Sequence, residues 1–163
     1  MKRVLLTIEY DGSDYFGWQK QPNVRTIQEE IEKAIFASIG EKVELFGSGR
    51  TDAKVHALAQ KAHFDMSLPV PVDKLPEILN NILPGDIAIK DACEVDNDFH
   101  ARFSVHKKCY RYKIYNSPIK NAFLSKRCGI VKKPLDEKKM IEASKILIGE
   151  HDFKGFCSAN TSV

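Results

Sequence analysis

The sequence has few cysteines and no long apolar run, and both features narrow its class. Its 163 residues include four scattered cysteines, none in the Cys-x-x-Cys pairs that zinc sites and redox motifs typically show. No apolar stretch approaches the roughly 20 residues that a membrane span requires. The run from Val4 to Tyr10 is too short and too polar for a signal peptide. We therefore predict a cytoplasmic protein without disulfides and without a metal site.

Several catalytic motifs are also absent. The first predicted strand is not followed by Gly-x-Gly-x-x-Gly, and the glycine-rich phosphate loop that ends in Gly-Lys-Ser/Thr does not occur. Ser48 lies between two glycines, but Gly-Ser-Gly lacks the Gly-x-Ser-x-Gly spacing of a nucleophile elbow. No second acid can be assigned opposite Asp52, as a glycosidase would need. These absences disfavour nucleotide-binding and common hydrolase classes.

The net charge of +3 conceals an asymmetry along the chain. Residues 1–98 contain 11 Lys/Arg against 17 Asp/Glu, whereas residues 99–163 contain 14 against 5. A basic portion of this kind is typical of a surface that binds a polyanion. A solvated lysine-rich surface would have the same composition, so charge alone does not decide between the two.

Apolar periodicity predicts the order β-α-β-β-α-β for residues 1–98. The predicted strands are 3–10, 42–46, 57–66 and 87–95, and the predicted helices are 26–39 and 73–83. Thr26 and Glu29 form a capping box, Gly40 ends the first helix, and Asp73 is the N-cap of the second. This order is typical of a ferredoxin-like α+β domain, in which two helices cover one face of an antiparallel sheet.

After a linker near residues 96–104 the pattern begins again, so residues 99–163 are predicted to start a second α+β domain. The predicted elements are strands 108–115 and 126–131 and a helix over 135–147, followed by an irregular segment, 151–163. The strands that would complete such a domain are missing. We therefore expect it to be truncated, with apolar surface that is exposed or covered by another chain.

The densest group of chemically capable residues lies in the loop from Gly47 to His56. Arg50 and Asp52 are two residues apart, near enough for a charge-assisted contact that keeps the carboxylate ionised. An ionised Asp52 can act as a nucleophile or as a base. A purely structural Arg–Asp pair would have the same residues, and their chemistry alone leaves both interpretations open.

Aromatic and basic residues alternate in the segment from Tyr110 to Tyr115. In a strand, Tyr110 and Tyr112 would share one face and Arg111 and Lys113 the other. Aromatic stacking beside cations holds unstacked bases, but half-buried core tyrosines would give the same pattern. Two loops, 10–19 and 99–103, are also rich in polar and aromatic groups, whereas His63 is expected to be structural.

In order and spacing, these motifs resemble the TruA family of tRNA pseudouridine synthases. The resemblance rests on Tyr10-Asp11-Gly12, Phe16-Gly17-Trp18-Gln19, Gly49-Arg50-Thr51-Asp52-Ala53, Leu83-Pro84-Gly85-Asp86-Ile87, Phe99-His100-Ala101-Arg102-Phe103, Tyr110-Arg111-Tyr112 and His151-Asp152-Phe153. It covers essentially the whole chain, and the motif around Asp52 is highly specific.

The resemblance implies isomerisation of uridine to pseudouridine in the tRNA anticodon stem-loop, at positions 38, 39 and 40, without cofactor or metal. It implies a homodimer, with Asp52 as the catalytic carboxylate, Arg50 as the residue that orients it, and Tyr110 stacked on the target base. We predict His100 and Arg102 as further substrate-binding residues. The alternatives are an RNA-binding module without catalysis, an inactive truncated synthase, and a small-molecule hydrolase that would leave Tyr110 and the basic portion unexplained.

The chain departs from the family pattern in two respects. Lys54 occupies a position where the family usually has glycine. If that position requires a positive φ, lysine strains the loop; otherwise Lys54 is a further phosphate contact. Family members also extend well past 163 residues, so the far wall of the cleft is expected to be missing. We therefore expect a chain that holds the catalytic carboxylate without a complete cleft.

Overall fold

A computed structural model of the chain describes residues 1–157. The chain divides into two compact units, Met1–Tyr110 and Arg111–Val163. The first unit confirms the predicted α+β class with an antiparallel sheet. Within residues 1–157, no helix combines the length and the apolar character that a membrane crossing requires.

Four strands form the sheet of the first unit. They are β1 (Lys2–Tyr10), β2 (Phe46–Gly47), β3 (Ala57–Met66) and β4 (Ile87–Val95), in the order β2-β3-β1-β4. Every second side chain of β1 from Val4 to Tyr10 is buried, because alternate residues of a strand point to the same face. Val4 is paired with Phe64 and Leu6 with Ala62, so the buried face continues across β3.

Two helices connect these strands, α1 (Ile27–Ile39) between β1 and β2 and α2 (Leu75–Asn80) between β3 and β4. The predicted apolar stripe of α1 is buried at Ile27, Ile31 and Ile35. The predicted end of α1 is confirmed, because Gly40 has a left-handed φ of 75° and its N–H donates to the carbonyl of Phe36.

The predicted capping box at the start of α1 is wrong. Thr26 is the N-cap residue, but its hydroxyl makes no capping hydrogen bond and is buried without a partner among the described residues. The N–H groups of Ile27 and Gln28 donate instead to the carbonyls of Gly17 and Trp18, at 3.2 and 3.1 Å. The preceding loop therefore replaces the side chain that normally caps a helix.

Strand β2 and helix α2 are both shorter than predicted, and for β2 side chains of α1 bond the backbone of the preceding residue. Residues 42–45 are not part of β2: the Leu45 N–H donates to Glu32 Oε1 at 3.1 Å, and its carbonyl accepts from Gln28 Nε2 at 3.0 Å. Asp73 lies in a 3₁₀ turn and does not cap α2. Asn80, the last residue of α2, bonds both backbone groups of Ile89.

Residues 99–104 belong to the first unit and dock on its sheet. Arg3 Nη1 donates to the Phe99 carbonyl at 2.9 Å, and the N–H of the fully buried Ala101 donates to His63 Nδ1 at 3.1 Å. These bonds make the segment predicted as a linker part of the first unit.

The second unit contains a parallel strand pair and one helix. These are β5 (Ile114–Asn116), β6 (Gly129–Val131) and α3 (Glu137–Ser144), all shorter than predicted. Asp136 caps α3 by accepting from the Lys139 N–H at 3.1 Å. No residue from 111 to 157 is buried, so the described part of this unit has no core of its own. The predicted irregular segment extends past 157, and residues 158–163 lie outside the described residues.

Candidate active site

The loop that carries Asp52 connects β2 to β3, and hydrogen bonds from its neighbours hold its first part. The Ser48 N–H donates to the Lys61 carbonyl at 2.7 Å, which continues the pairing of the two strands. Gln60 Nε2 donates to the Gly49 carbonyl at 2.6 Å. The loop therefore leaves the sheet in a fixed direction.

Thr51 anchors the middle of the loop to the interior. Its hydroxyl shares a 2.8 Å hydrogen bond with the hydroxyl of Tyr10, and its carbonyl accepts from the Trp18 N–H at 3.0 Å. Tyr10 and Trp18 are 3% and 2% exposed, so both partners are fixed by the core. Burial raises the pKa of Tyr10, which keeps its hydroxyl protonated. Arg50 and Asp52, on either side of Thr51, are exposed.

The tight fit between residues 10–18 and the Asp52 loop depends on three glycines. A Cβ at Gly12 would lie 2.0 Å from the Val55 carbonyl oxygen, and one at Gly47 would lie 2.6 Å from the Trp18 ring. Gly17 has a φ of 95°, and a Cβ there would lie 2.7 Å from the Thr51 carbonyl oxygen. The absence of side chains at these positions lets the two loops pack backbone against backbone.

Lys54 has a left-handed backbone conformation, with φ of 67°. The Val55 N–H donates to the Asp52 carbonyl at 3.2 Å, so residues 52–55 form a turn with Lys54 at its third position. A positive φ at that position alone is the geometry of a type II turn, which favours glycine. The strain predicted for lysine is therefore present, at a cost on the order of 1 kcal/mol.

The carbonyl of Tyr15 also holds this turn, since it accepts from the Lys54 N–H at 3.1 Å. The Tyr15 ring is 2% exposed and its hydroxyl donates to Asp86 Oδ1 at 2.5 Å. Burial, followed by that hydrogen bond, raises the pKa of Tyr15 well above its usual value. The hydroxyl therefore remains a donor, and the ring stays in place beneath the turn.

The predicted contact between Arg50 and Asp52 is absent. Among residues 1–157, no hydrogen bond or ion pair involves the guanidinium of Arg50 or the carboxylate of Asp52. Thr51 faces the interior and leaves its two neighbours in water, where hydration and side-chain entropy oppose a fixed pair. The two residues are close along the chain, but no hydrogen bond or ion pair joins their side chains, so the predicted contact is wrong.

His100 belongs to an aromatic cluster around His63 and Phe46. The His63 ring lies 4.7 Å from the His100 ring and 5.2 Å from the Phe46 ring, between centroids. His63 is 2% exposed; burial, with a smaller contribution from His100, lowers its pKa to about 4. The predicted structural role of His63 agrees with this neutral, hydrogen-bonded position. Arg102 is exposed and lies over Phe103, 5.7 Å from the ring centroid.

The predicted substrate residues are not joined to Asp52 by bonds. Tyr110 is 75% exposed and lies outside any strand, so the predicted alternation of Tyr110 and Tyr112 on one face is absent. No hydrogen bond, ion pair or ring contact links Asp52 with Tyr110, His100 or Arg102 in the part of the chain that the structure describes. The structure therefore shows Asp52 as an exposed carboxylate on a loop whose backbone is held by hydrogen bonds.

Sequence reasoning missed two contributors to this site. Lys108 Nζ lies 3.6 Å from the position that a Cβ at Gly49 would occupy, and only the structure brings these residues together. The Tyr10–Thr51 hydrogen bond was also not foreseen. The glycines at 12 and 17 were the available signal, since closely spaced glycines in a loop permit close backbone approach.

Within the described residues, no group of three or more histidine, cysteine, aspartate or glutamate side chains could hold a metal ion.

Comparison with known proteins places the loop inside a family match. Residues 6–104 match a family described as tRNA pseudouridine synthase. The chain is 54% identical over 161 residues to tRNA pseudouridine synthase A of Caldicellulosiruptor bescii, covering 99% of this chain and 66% of the relative. It is 48% identical over 163 residues to the protein of the same name from Brevibacillus brevis, covering 100% and 67%.

The chain spans 66% of the length of the Caldicellulosiruptor bescii relative, slightly less than two thirds. The family match includes the whole of the Asp52 loop, the loop that supports it and the aromatic cluster around His63. With more than half of its residues inside that match, this chain belongs to the tRNA pseudouridine synthase family.

Proposed function

We propose that this chain supplies the catalytic portion of an enzyme that isomerises uridine to pseudouridine in tRNA, with Asp52 as its working carboxylate. The observation that carries the proposal is the exposed Asp52 on a backbone held by Tyr10, Trp18 and Tyr15, inside the region of family similarity. A scaffold of this kind can hold a reacting group in a fixed position.

The reaction sets the demands on Asp52. The bond from N1 of the base to C1′ must break, the base must turn, and C5 must then bond to C1′, after which C5 loses its proton. The exposed carboxylate of Asp52 can serve as nucleophile or base. A carboxyl group that delivered a proton in the first step would instead have to be protonated.

Two routes use an ionised Asp52. In the first, a carboxylate oxygen bonds to the nucleotide as the N1–C1′ bond breaks, and is released when C5 bonds to C1′. In the second, the carboxylate removes the C2′ proton as the N1–C1′ bond breaks, which leaves a glycal, and returns the proton to C2′ as C5 bonds to C1′. Deuterium at C2′ distinguishes them, because only the second route breaks the C2′–H bond and slows on substitution.

The proposed substrate is the anticodon stem-loop, with the uridines at positions 38, 39 and 40 as targets. A target base must leave its stack, at a cost of a few kcal/mol, and stacking on an aromatic side chain offsets that cost. We assign this stacking to Tyr110, which is exposed. His100 and Arg102 are proposed to contact the RNA nearby. Residues 99–163, with 14 basic residues against 5 acidic ones, supply phosphate contacts.

Arg50 is proposed to orient Asp52 once RNA is bound. In the free chain the two side chains are not bonded, although both are exposed on either side of the anchored Thr51. Catalytic hydrogen bonds are often long in free enzymes and shorten in the substrate complex. An Arg50→Lys variant would keep the charge and lose the planar, two-pronged donor, and should therefore lower the rate.

The proposal also includes the fold of the first unit, the domain bounds, the oligomeric state and the cellular location. The strand order β2-β3-β1-β4, with a helix after the first and third strands, supports a ferredoxin-like assignment of the first unit. The assignments of residues 1–98 as that domain and residues 99–163 as the start of a similar second one remain predictions. The homodimer and the cytoplasmic location also remain predictions.

Tritium release from RNA labelled at uracil C5 tests the proposal. The assay uses the chain itself and an extended form, joined to the part of the Caldicellulosiruptor bescii relative that the alignment leaves uncovered. Release by either form supports the proposal. Release by neither, with tRNA binding intact, leaves the second candidate, an RNA-binding module without catalysis, which the basic composition of residues 99–163 favours.

A further inference from the structure

Lys54 is the residue of the Asp52 loop whose presence the fold does not explain. Its φ of 67° lies in the region that favours glycine, and the Lys54 side chain makes no hydrogen bond, ion pair or ring contact among residues 1–157 to offset the strain. Strained residues of this kind cluster at ligand-binding sites, where a fixed position is part of the function. We propose that Lys54 binds a backbone phosphate of the RNA beside the nucleotide that reaches Asp52.

The backbone at Lys54 is held on both sides. Its N–H donates to the Tyr15 carbonyl at 3.1 Å, the next N–H donates to the Asp52 carbonyl at 3.2 Å, and Gly12 packs directly against the carbonyl of Val55. The Cα of Lys54 therefore has a fixed position two residues from Asp52, and only its side chain can adjust. A flexible ammonium on a fixed base is suited to a phosphate, which accepts hydrogen bonds from many directions.

The basic side chains of the first unit that lack an ion pair are concentrated in a few segments, one of which is the Asp52 loop. Seven of the basic side chains in residues 1–110 are ion-paired with carboxylates: Lys2, Arg3, Lys20, Arg25, Lys33, Lys74 and Lys90. The basic side chains without an ion pair in that described range are Lys42, Arg50, Lys54, Lys61, Arg102, Lys107 and Lys108. All of these except Lys42 lie on the Asp52 loop, on β3 directly after it, or in residues 102–108.

Basic side chains without ion pairs, on the Asp52 loop and beside it at Lys108, are suited to a polyanion as ligand. An RNA nucleotide that approaches Asp52 brings flanking phosphates, which the carboxylate repels. A cation at Lys54, two residues from Asp52, offsets that repulsion, and Lys108, whose ammonium lies beside Gly49, contributes next to the same loop. This role rests on the proposed function, because it concerns RNA bound at Asp52.

The test compares four substitutions in the chain as it stands, with Asn23→Gly as a fifth that controls for strain. Lys54→Gln removes the charge, Lys54→Arg keeps it, and Lys54→Gly removes both charge and strain. Lys42→Gln is the matched control, since Lys42 is another exposed lysine without an ion pair, located over the Phe36 ring. Binding of a labelled anticodon stem-loop RNA is measured by fluorescence anisotropy from about 50 to 200 mM salt.

We expect Lys54→Gln to weaken binding about threefold to tenfold at roughly 100 mM salt, and to reduce the slope of log K against log salt by about one. Lys54→Arg and Lys42→Gln should keep both values. Lys54→Gly should bind as weakly as Lys54→Gln while its unfolding midpoint rises, so that weaker binding cannot be attributed to unfolding. Asn23→Gly, at the other non-glycine residue with positive φ, should raise the midpoint without changing binding.

Unchanged affinity and slope in Lys54→Gln would overturn the inference, as would an equal loss in Lys42→Gln or no measurable binding by the unsubstituted chain. These outcomes are separate from the fate of the proposed function. If Asp52 is required for tritium release but Lys54→Gln binds normally, only the phosphate contact is wrong. If Lys54→Gln weakens binding and neither form of the protein releases tritium, the contact stands and the activity does not.

Discussion

Acid should destabilise the first unit through His63, and the structure allows the size of the effect to be calculated. His63 is buried, and its Nδ1 accepts the Ala101 N–H, which is possible only when that nitrogen carries no proton. Its pKa is lowered from 6.5 to about 4. The folded state therefore binds fewer protons than the unfolded state between these values, and stability is lost as pH falls from 6.5 towards 4.

A shift of this size corresponds to about 3 kcal/mol when it is fully expressed. Between about pH 7 and pH 5, the linkage relation gives a loss of about 2 kcal/mol attributable to His63. The assay is urea unfolding at several pH values in that range, followed by the fluorescence of Trp18. Trp18 is the one tryptophan of the chain and is 2% exposed in the first unit, so its emission reports the unfolding of that unit.

A His63→Asn variant is the informative comparison, because the amide oxygen can replace Nδ1 as acceptor for the Ala101 N–H without titrating. Its stability at neutral pH should be lower because the ring contact with Phe46 is lost. Its loss of stability on acidification should be about 2 kcal/mol smaller than that of the unsubstituted chain. His106→Asn, at an exposed position, should leave the pH dependence unchanged. Equal pH dependence in the His63→Asn variant and the unsubstituted chain would refute the reasoning.

Further predictions concern the support of the Asp52 loop. Gly12→Ala places a Cβ 2.0 Å from the Val55 carbonyl oxygen and should cost about 1–3 kcal/mol in urea unfolding, whereas Gly85→Ala, with open space around it, should change stability by less than about 0.5 kcal/mol. Similar values for the two would contradict the close packing. Tyr10→Phe removes the hydrogen bond to Thr51 and should cost about 1 kcal/mol while slowing tritium release more than it weakens RNA binding. A loss confined to RNA binding would show that the bond does not position the loop for catalysis.

Long strands with alternating apolar residues were predicted well. The bounds of β3 and β4 agree with the sequence prediction, and β1 begins one residue earlier; in β1 the burial alternates with period two, the pattern of a half-buried strand. The beginning of β2 could not be predicted, since it depends on Glu32 and Gln28 of α1, which bond the backbone of Leu45. Such side-chain competition for backbone groups leaves no periodic signal.

The contacts of the candidate site could be predicted only in part. The composition of the loop left a structural and a chemical role of Asp52 open, and its catalytic assignment stays a prediction of the family resemblance; the conditional prediction about Lys54 matches its φ of 67°. The Arg50–Asp52 contact failed because sequence distance does not reveal that Thr51 is anchored inward by Tyr10. Elements beyond residue 110 were overestimated in length, since no residue from 111 to 157 is buried and apolar periodicity has no core there to report.

The central claim, that Asp52 performs the chemistry, is tested most directly by tritium release from C5-labelled tRNA with the extended form of the chain and its Asp52→Asn variant. Asparagine preserves size and polarity, and Asp52 makes no side-chain bond among the described residues, so folding should not change and RNA binding should not weaken. The account predicts release by the unsubstituted protein and its loss in the variant, with an RNA affinity in the variant that is no lower. Release at the same rate by both proteins would contradict it.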